Sequence, residues 1–262
     1  MLAAGVLLPV AGVSAQVGAN VTSGGAGVTA VANTSARAAN LAKLISNAQA
    51  RADQEITRRI NALNALNTRV NAMAKIASSS QSSLSATIQA QITAMNTLQA
   101  QIASDVAANS TSSLKTDIQS ITKSYRIFAL VIPQGAIEAA ADRVLDIAGM
   151  MTTLAGQLQT RITAAQNASN DTNASASALT DMNAQIANAN TAANAAVSEV
   201  ANLQPDNGVQ AVMTSNTAAL KDARSKIQTA QQDLTAARKD AGTIVKALIS
   251  FKISGSVSST AQ

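Results

Sequence analysis

The chain has 262 residues, of which 47% are apolar but only 1% aromatic, and it contains no His, Cys or Trp. Those absences exclude Ser-His-Asp and Cys-His catalysis, zinc sites with Cys or His ligands, the Glu-x-x-His ligands of a di-iron bundle, and any disulfide. With 13% charged residues, the surface must draw on Asn, Gln, Ser and Thr, while alanine, the best helix former, suits long helices packed closely side by side.

The net charge of +5 is unevenly spread. Ala36 to Arg126 holds ten Lys or Arg against four acids, and Ile127 onward holds nine against ten. No basic residue stands between Ile162 and Leu220. Nucleic-acid binding asks for clustered cations with stacking aromatics, and nucleic acid is not an expected partner. Arg58 and Arg59 are the only adjacent arginines, and they are expected on a solvated helix face.

Met1 to Ala15 is an apolar run closing on Val13-Ser14-Ala15. Small residues at that spacing predict a signal peptide cleaved before Gln16, and hence an exported protein, extracellular or at the surface of a bacterial cell. The run is too short, and too interrupted by Gly5 and Pro9, for a membrane span. Residues 16–35 read as a disordered low-complexity spacer, and 252–262 as a disordered tail. The body is 36–251.

Within it the periodicity is helical throughout. Apolar residues recur every three or four positions through Ile56, Ile60, Leu63, Leu66, Val70, Met73 and Ala77, then through Leu84, Ile88, Ile92, Met95, Leu98, Ile102 and Val106. No Gly or Pro intervenes, so one helix is predicted from about Ala36 to Ala108. Turns follow at Asn109–Ser113, Asn167–Ser175 and Gln204–Gly208. Leu179 to Leu203 carries a comparable stripe, and Leu220 to Phe251 the most regular one. The fold class is all-α: an elongated antiparallel helical bundle or coiled coil of about four long helices, with a proline kink near residue 133.

That kink falls in the one unusual stretch, "SYRIFALVIPQG" (Ser124 to Gly135), which holds two of the chain's three aromatic residues. Its β-branched content favours a strand. Periodicity favours a helix, since Leu114, Ile118, Ile121, Tyr125, Phe128 and Ile132 step by four and three. The expectation is a crowded helix up to Ile132, a bend, and a new helix from about Gln134. Tyr125, Phe128, Leu130, Val131, Ile132 and Pro133 form the candidate packing or interaction cluster.

Two polar patterns invite a chemical reading. Glu138, Asp142 and Asp146 put three carboxylates on one helix face, the ligand type of a hard cation. One straight face cannot wrap a cation, and carboxylates near a helix N-terminus are favoured without any ligand, so no metal site is predicted. Asn61, Asn64, Asn67 and Asn71 flank a stripe as an amide ladder and are expected to hydrate it. No phosphate loop, nucleophile elbow or acid–base pair emerges, and no catalytic or cofactor-binding residue is assigned.

The stretch "YRIFALVIPQGAIEAAADRVLDIA" resembles a segment of uncharacterised secreted helical proteins of small-genome bacteria, a resemblance that implies export but no activity. The alanine-rich polar helices are similar in composition to flagellin-like filament subunits, without a flagellin signature. The expected function is therefore a secreted, non-catalytic helical-bundle protein with a structural or interaction role at the cell surface. The alternative is a helical protein that binds lipid surfaces or hydrophobic ligands. A cell-surface protein is the expected partner, and a homo-oligomer is open because the same stripes can close within or between chains.

Overall fold

The computed structural model describes the backbone of residues 26–123 and 126–258, and the side chains of 34–123 and 126–251. The described residues are all-helical, with no strand among them. In order they form α1 (Ala26–Asn71), α2 (Ser78–Ala107), α3 (Thr111–Lys123), a π-helical turn (Ile127–Val131), α4 (Ile132–Asn167), α5 (Asn173–Val200) and α6 (Gln210–Ser258). The chain divides into two compact units, Met1–Asn47 and Ala48–Gln262. In the first, the side chains from Thr34 to Leu44 are exposed and Ile45 is buried.

The helices are more numerous than the expected four, because the single helix predicted from Ala36 to Ala108 is cut at Ala72–Ala77. Nothing local forces that break. Its cause is Asp142 on α4, whose Oδ1 accepts the backbone N–H groups of Ala74, Lys75 and Ile76 at 2.9, 2.5 and 3.1 Å. One carboxylate oxygen thus takes three donors that a continuous helix would have turned inward. Gln81, in the first turn of α2, donates from Nε2 to the Val70 and Met73 carbonyls at the end of α1, the former shared with the Met73 N–H. At the ends, α1 takes in Ala26 to Ser35 of the expected spacer, and α6 continues to Ser258 in the expected tail.

The seams of the later helices follow their periodicity. Leu179, Met182, Ile186, Ala189, Ala193, Val197 and Val200 of α5 are buried, as are Leu220, Ala223, Ile227, Ala230, Leu234, Ala237, Ala241 and Ile244 of α6. These two helices pack on each other, and each also packs on α4. The alanines of these seams, nearly alternate in α6, let the backbones approach, while Ile, Leu, Met and Val supply most of the buried area, at about 1.5–3 kcal/mol each. Earlier in the chain, Gln99 donates to Asp53 and Ser85 to Asn67, so α2 runs back along the second half of α1 as an antiparallel neighbour.

On a surface this poor in charge, many hydroxyls fold back onto the carbonyls of their own helix. Thr68, Thr87, Thr97, Thr153, Thr191 and Thr235, among others, each donate to the carbonyl four residues back. The links after α2, α4 and α5 turn through left-handed residues, Asn109, Ser169 and Asn207, where polar side chains tolerate positive φ best.

Candidate functional site at the head of α4

Arg126 is the exception among the left-handed residues, at φ 43°. It redirects the chain ahead of the π turn, in which Ile132 N–H reaches back to Ile127 O. The wider turn and the left-handed residue shift the phase of the seam. Ile127, Leu130 and Val131 become the buried residues, Ile132 and Pro133 are half-buried, and Phe128 is 38% exposed. The expectation that Phe128 continues the core seam, inside a helix crowded on all sides, is therefore corrected. Tyr125 lies outside the described residues. Pro133 stands in the first turn of α4, directly after the π turn.

Phe128 is instead roofed by α1. The guanidinium carbons of Arg58 and Arg59 lie 4.5 and 5.1 Å from its ring centroid, within cation–π range. Glu55, one turn back, ties the pair together: Arg58 Nη2 donates to its Oε1 at 2.5 Å, and Arg59 Nη1 contacts the same oxygen. Partial burial alone would raise the Glu55 carboxyl, but the hydrogen bonds from the two arginines outweigh it and hold it below its usual range. Arg59 is 6% exposed. It occupies the seam step between Ile56 and Leu63 that the periodicity assigns to Ile60, so the expectation of a solvated face fails for it and holds only for Arg58.

Three further ties fasten the same region. Arg126 pairs with Asp206 between α5 and α6, Nε to Oδ2 at 2.8 Å and Nη2 to Oδ1 at 3.1 Å. Burial alone would raise Asp206, yet the Gly208 N–H and the Arg126 guanidinium keep its carboxyl below the ordinary value. Gln134 is buried and donates from Nε2 to the Val200 carbonyl at 2.8 Å. Gly135 abuts Leu66: a Cβ there would lie 2.6 Å from Leu66 Cδ1.

The three carboxylates of α4 are separated by this packing. Glu138 is only 2% exposed, its Oε2 has no hydrogen-bond partner, and burial pushes its carboxyl up to about 7. Asp142 holds the link before α2, and Asp146 pairs with Lys75 of that link at 3.4 Å. They do not converge on a point, and no group of three metal-ligating side chains stands among the described residues. Of the amide ladder, Asn61, Asn64 and Asn71 are exposed and Asn67 is half-buried, accepting from Ser85. An open hollow lined by Gln228, Gln231, Gln232 and Thr235 on α6 offers no charged group. No helix among the described residues is long and apolar enough to cross a membrane.

No protein-family model, curated protein or solved structure matches the chain. The residues at the head of α4 therefore speak for themselves. Sequence reasoning located this region through its composition and missed Arg59, Arg126 and Asp206. The step of three from Ile56 to Arg59 and of four on to Leu63 was the available signal.

Proposed function

We propose that this chain is an exported, non-catalytic helical protein that works through structural or binding contacts at the cell surface of a bacterium. The observation that carries the reading is the use made of charge at the head of α4. Arg59, Arg126 and Asp142 all end on partners within the chain. Glu138 is shut away from solvent. Groups of this type serve an enzyme only when they face a substrate.

Under this reading Met1 to Ala15 is removed during export, and the helices of the second unit form an elongated antiparallel bundle that bends near residue 133. The resemblance of the stretch from Tyr125 to Ala148 to secreted helical proteins of small-genome bacteria implies the same. The test is fractionation of the producing cells with mass spectrometry of the mature N-terminus. A chain beginning at Gln16 outside the cell is expected. Full-length protein confined to the cytoplasm overturns the reading.

A second reading, binding to lipid surfaces, draws on the first unit. Leu41 and Leu44 are exposed there beside Arg37 and Lys43, in a chain whose first acidic residue is Asp53. Flotation with anionic vesicles that is lost in Leu41→Asp/Leu44→Asp would establish it.

A further inference from the structure

One face of α4 carries a second seam that stays open to solvent, with Ile147 39% and Leu154 37% exposed. Arg143, Ile147, Met150, Leu154, Gln157 and Arg161 follow one another by steps of four, three, four, three and four, and every one is exposed. Met150 is 66% exposed. This spacing is the 3.5-residue period with which one helix meets another, and it lies apart from the core seam of Val144, Ala148, Met151, Ala155, Leu158 and Ile162. Its ends are cationic, roughly 27 Å apart along the helix. Among the described residues neither Arg143 nor Arg161 has an acidic partner, whereas Asp146, one turn from Arg143, is held by Lys75.

We infer that this face docks an amphipathic helix of another protein, one with an apolar seam bounded at each end by a carboxylate. The inference rests on the proposed interaction role and names the chemistry of the partner. Charge decides between occupants. A second copy is disfavoured, because a parallel pairing sets each arginine against its own counterpart and an antiparallel one sets Arg143 against Arg161. The chain's own residues before Asp53 carry no carboxylate side chain, so they do not complement the arginines. A bilayer favours a broad apolar face, whereas three side chains in single file suit a helix groove.

The test uses the full chain and two synthetic helical peptides of roughly four heptads. Both carry leucine along the seam; one has Glu, the other Lys, at the positions facing Arg143 and Arg161. Fluorescence anisotropy should give the Glu peptide roughly tenfold or more tighter binding than the Lys peptide. The preference should invert in Arg143→Glu/Arg161→Glu, and Met150→Asp should weaken the Glu peptide roughly tenfold, with circular dichroism unchanged in both variants. Equal binding of the two peptides, or binding of neither, overturns the inference while leaving export and the N-terminus of the mature chain as they were. Flotation with phosphatidylglycerol vesicles, or self-association by light scattering, that disappears in Met150→Asp would assign the face to a bilayer or a second copy and overturn it equally.

Discussion

Gly135 and Leu66 occupy one space: the hydrogen of the glycine stands where any side chain would meet the leucine's Cδ1 at 2.6 Å and Cδ2 at 2.7 Å. A glycine inside a helix normally weakens it by about 0.5–1 kcal/mol relative to alanine. Here its absence of a side chain is what lets α1 come down on the first turn of α4.

Gly135→Ala should therefore destabilise the protein, by about 1–3 kcal/mol, the range of an overpacked core. Gly149 and Gly156 lie farther along the same helix with nothing within 4 Å of a built Cβ. Their alanine variants should stabilise by about 0.5–1 kcal/mol. Urea denaturation of the three variants checks the contrast. In Gly135→Ala/Leu66→Ala the two losses should fall short of additivity, because the second change removes the atoms the first collides with.

Glu138 and Asp206 bend the pH dependence of stability in opposite senses. The folded carboxyl of Glu138 titrates at about 7, above the unfolded value of about 4.3. Between those values the unfolded chain binds fewer protons, so stability falls as pH rises and levels off above pH 7. Asp206 is held below its unfolded value, and its contribution is present at neutral pH and lost as pH falls below about 4. Chemical denaturation from pH 3 to 8 should show Glu138→Gln flattening the upper limb alone and Asp206→Asn the lower limb alone. An unchanged difference between pH 5 and 8 in Glu138→Gln would remove the first claim.

Asp142→Ala should release the Ala74, Lys75 and Ile76 amides together, at a cost of about 2–3 kcal/mol, the range for hydrogen bonds to a charged acceptor in a partly buried setting. Asp142→Asn keeps an acceptor oxygen and should lose less. Denaturation midpoints with amide chemical shifts at residues 74–76 separate the two.

The Glu55–Arg59–Phe128 group predicts an asymmetry. Glu55→Ala leaves a buried guanidinium without its carboxylate and should destabilise by about 2–4 kcal/mol. Replacing both partners, as Glu55→Gln/Arg59→Met, should be near neutral, since the desolvation of the pair disappears with its attraction. Phe128→Leu should cost about 1 kcal/mol for the lost ring contacts. Thermal melts of the four proteins decide it.

How far the sequence could be read depends on where each determinant sits. The seams of α5 and α6 are local properties of periodicity and were legible along most of their length, although Leu203, Leu248 and Phe251 are only half-buried. The cut between α1 and α2 was not, because its agent is a carboxylate on α4, and no window around Ala74 contains it. Arg59 was hidden by its charge: an arginine at a seam step reads as surface until its partners, Glu55 and Phe128, are seen across the interface. Phe128 left the seam where Arg126 turns left-handed and pairs with Asp206, 80 residues away along the chain. In each case a polar contact across the fold overrode a pattern along the chain.

The residues from Arg126 to Asp142 hold α1, the link before α2, and the corner between α5 and α6 with one set of side chains. Segments tied to a common anchor open together or not at all. Backbone amides as distant in sequence as those of Ala74, Leu130 and Gly208 should thus behave as a single exchange unit, protected to the same degree and released in one event. The unfolding of this protein would then be gated by one short stretch rather than by its longest helices.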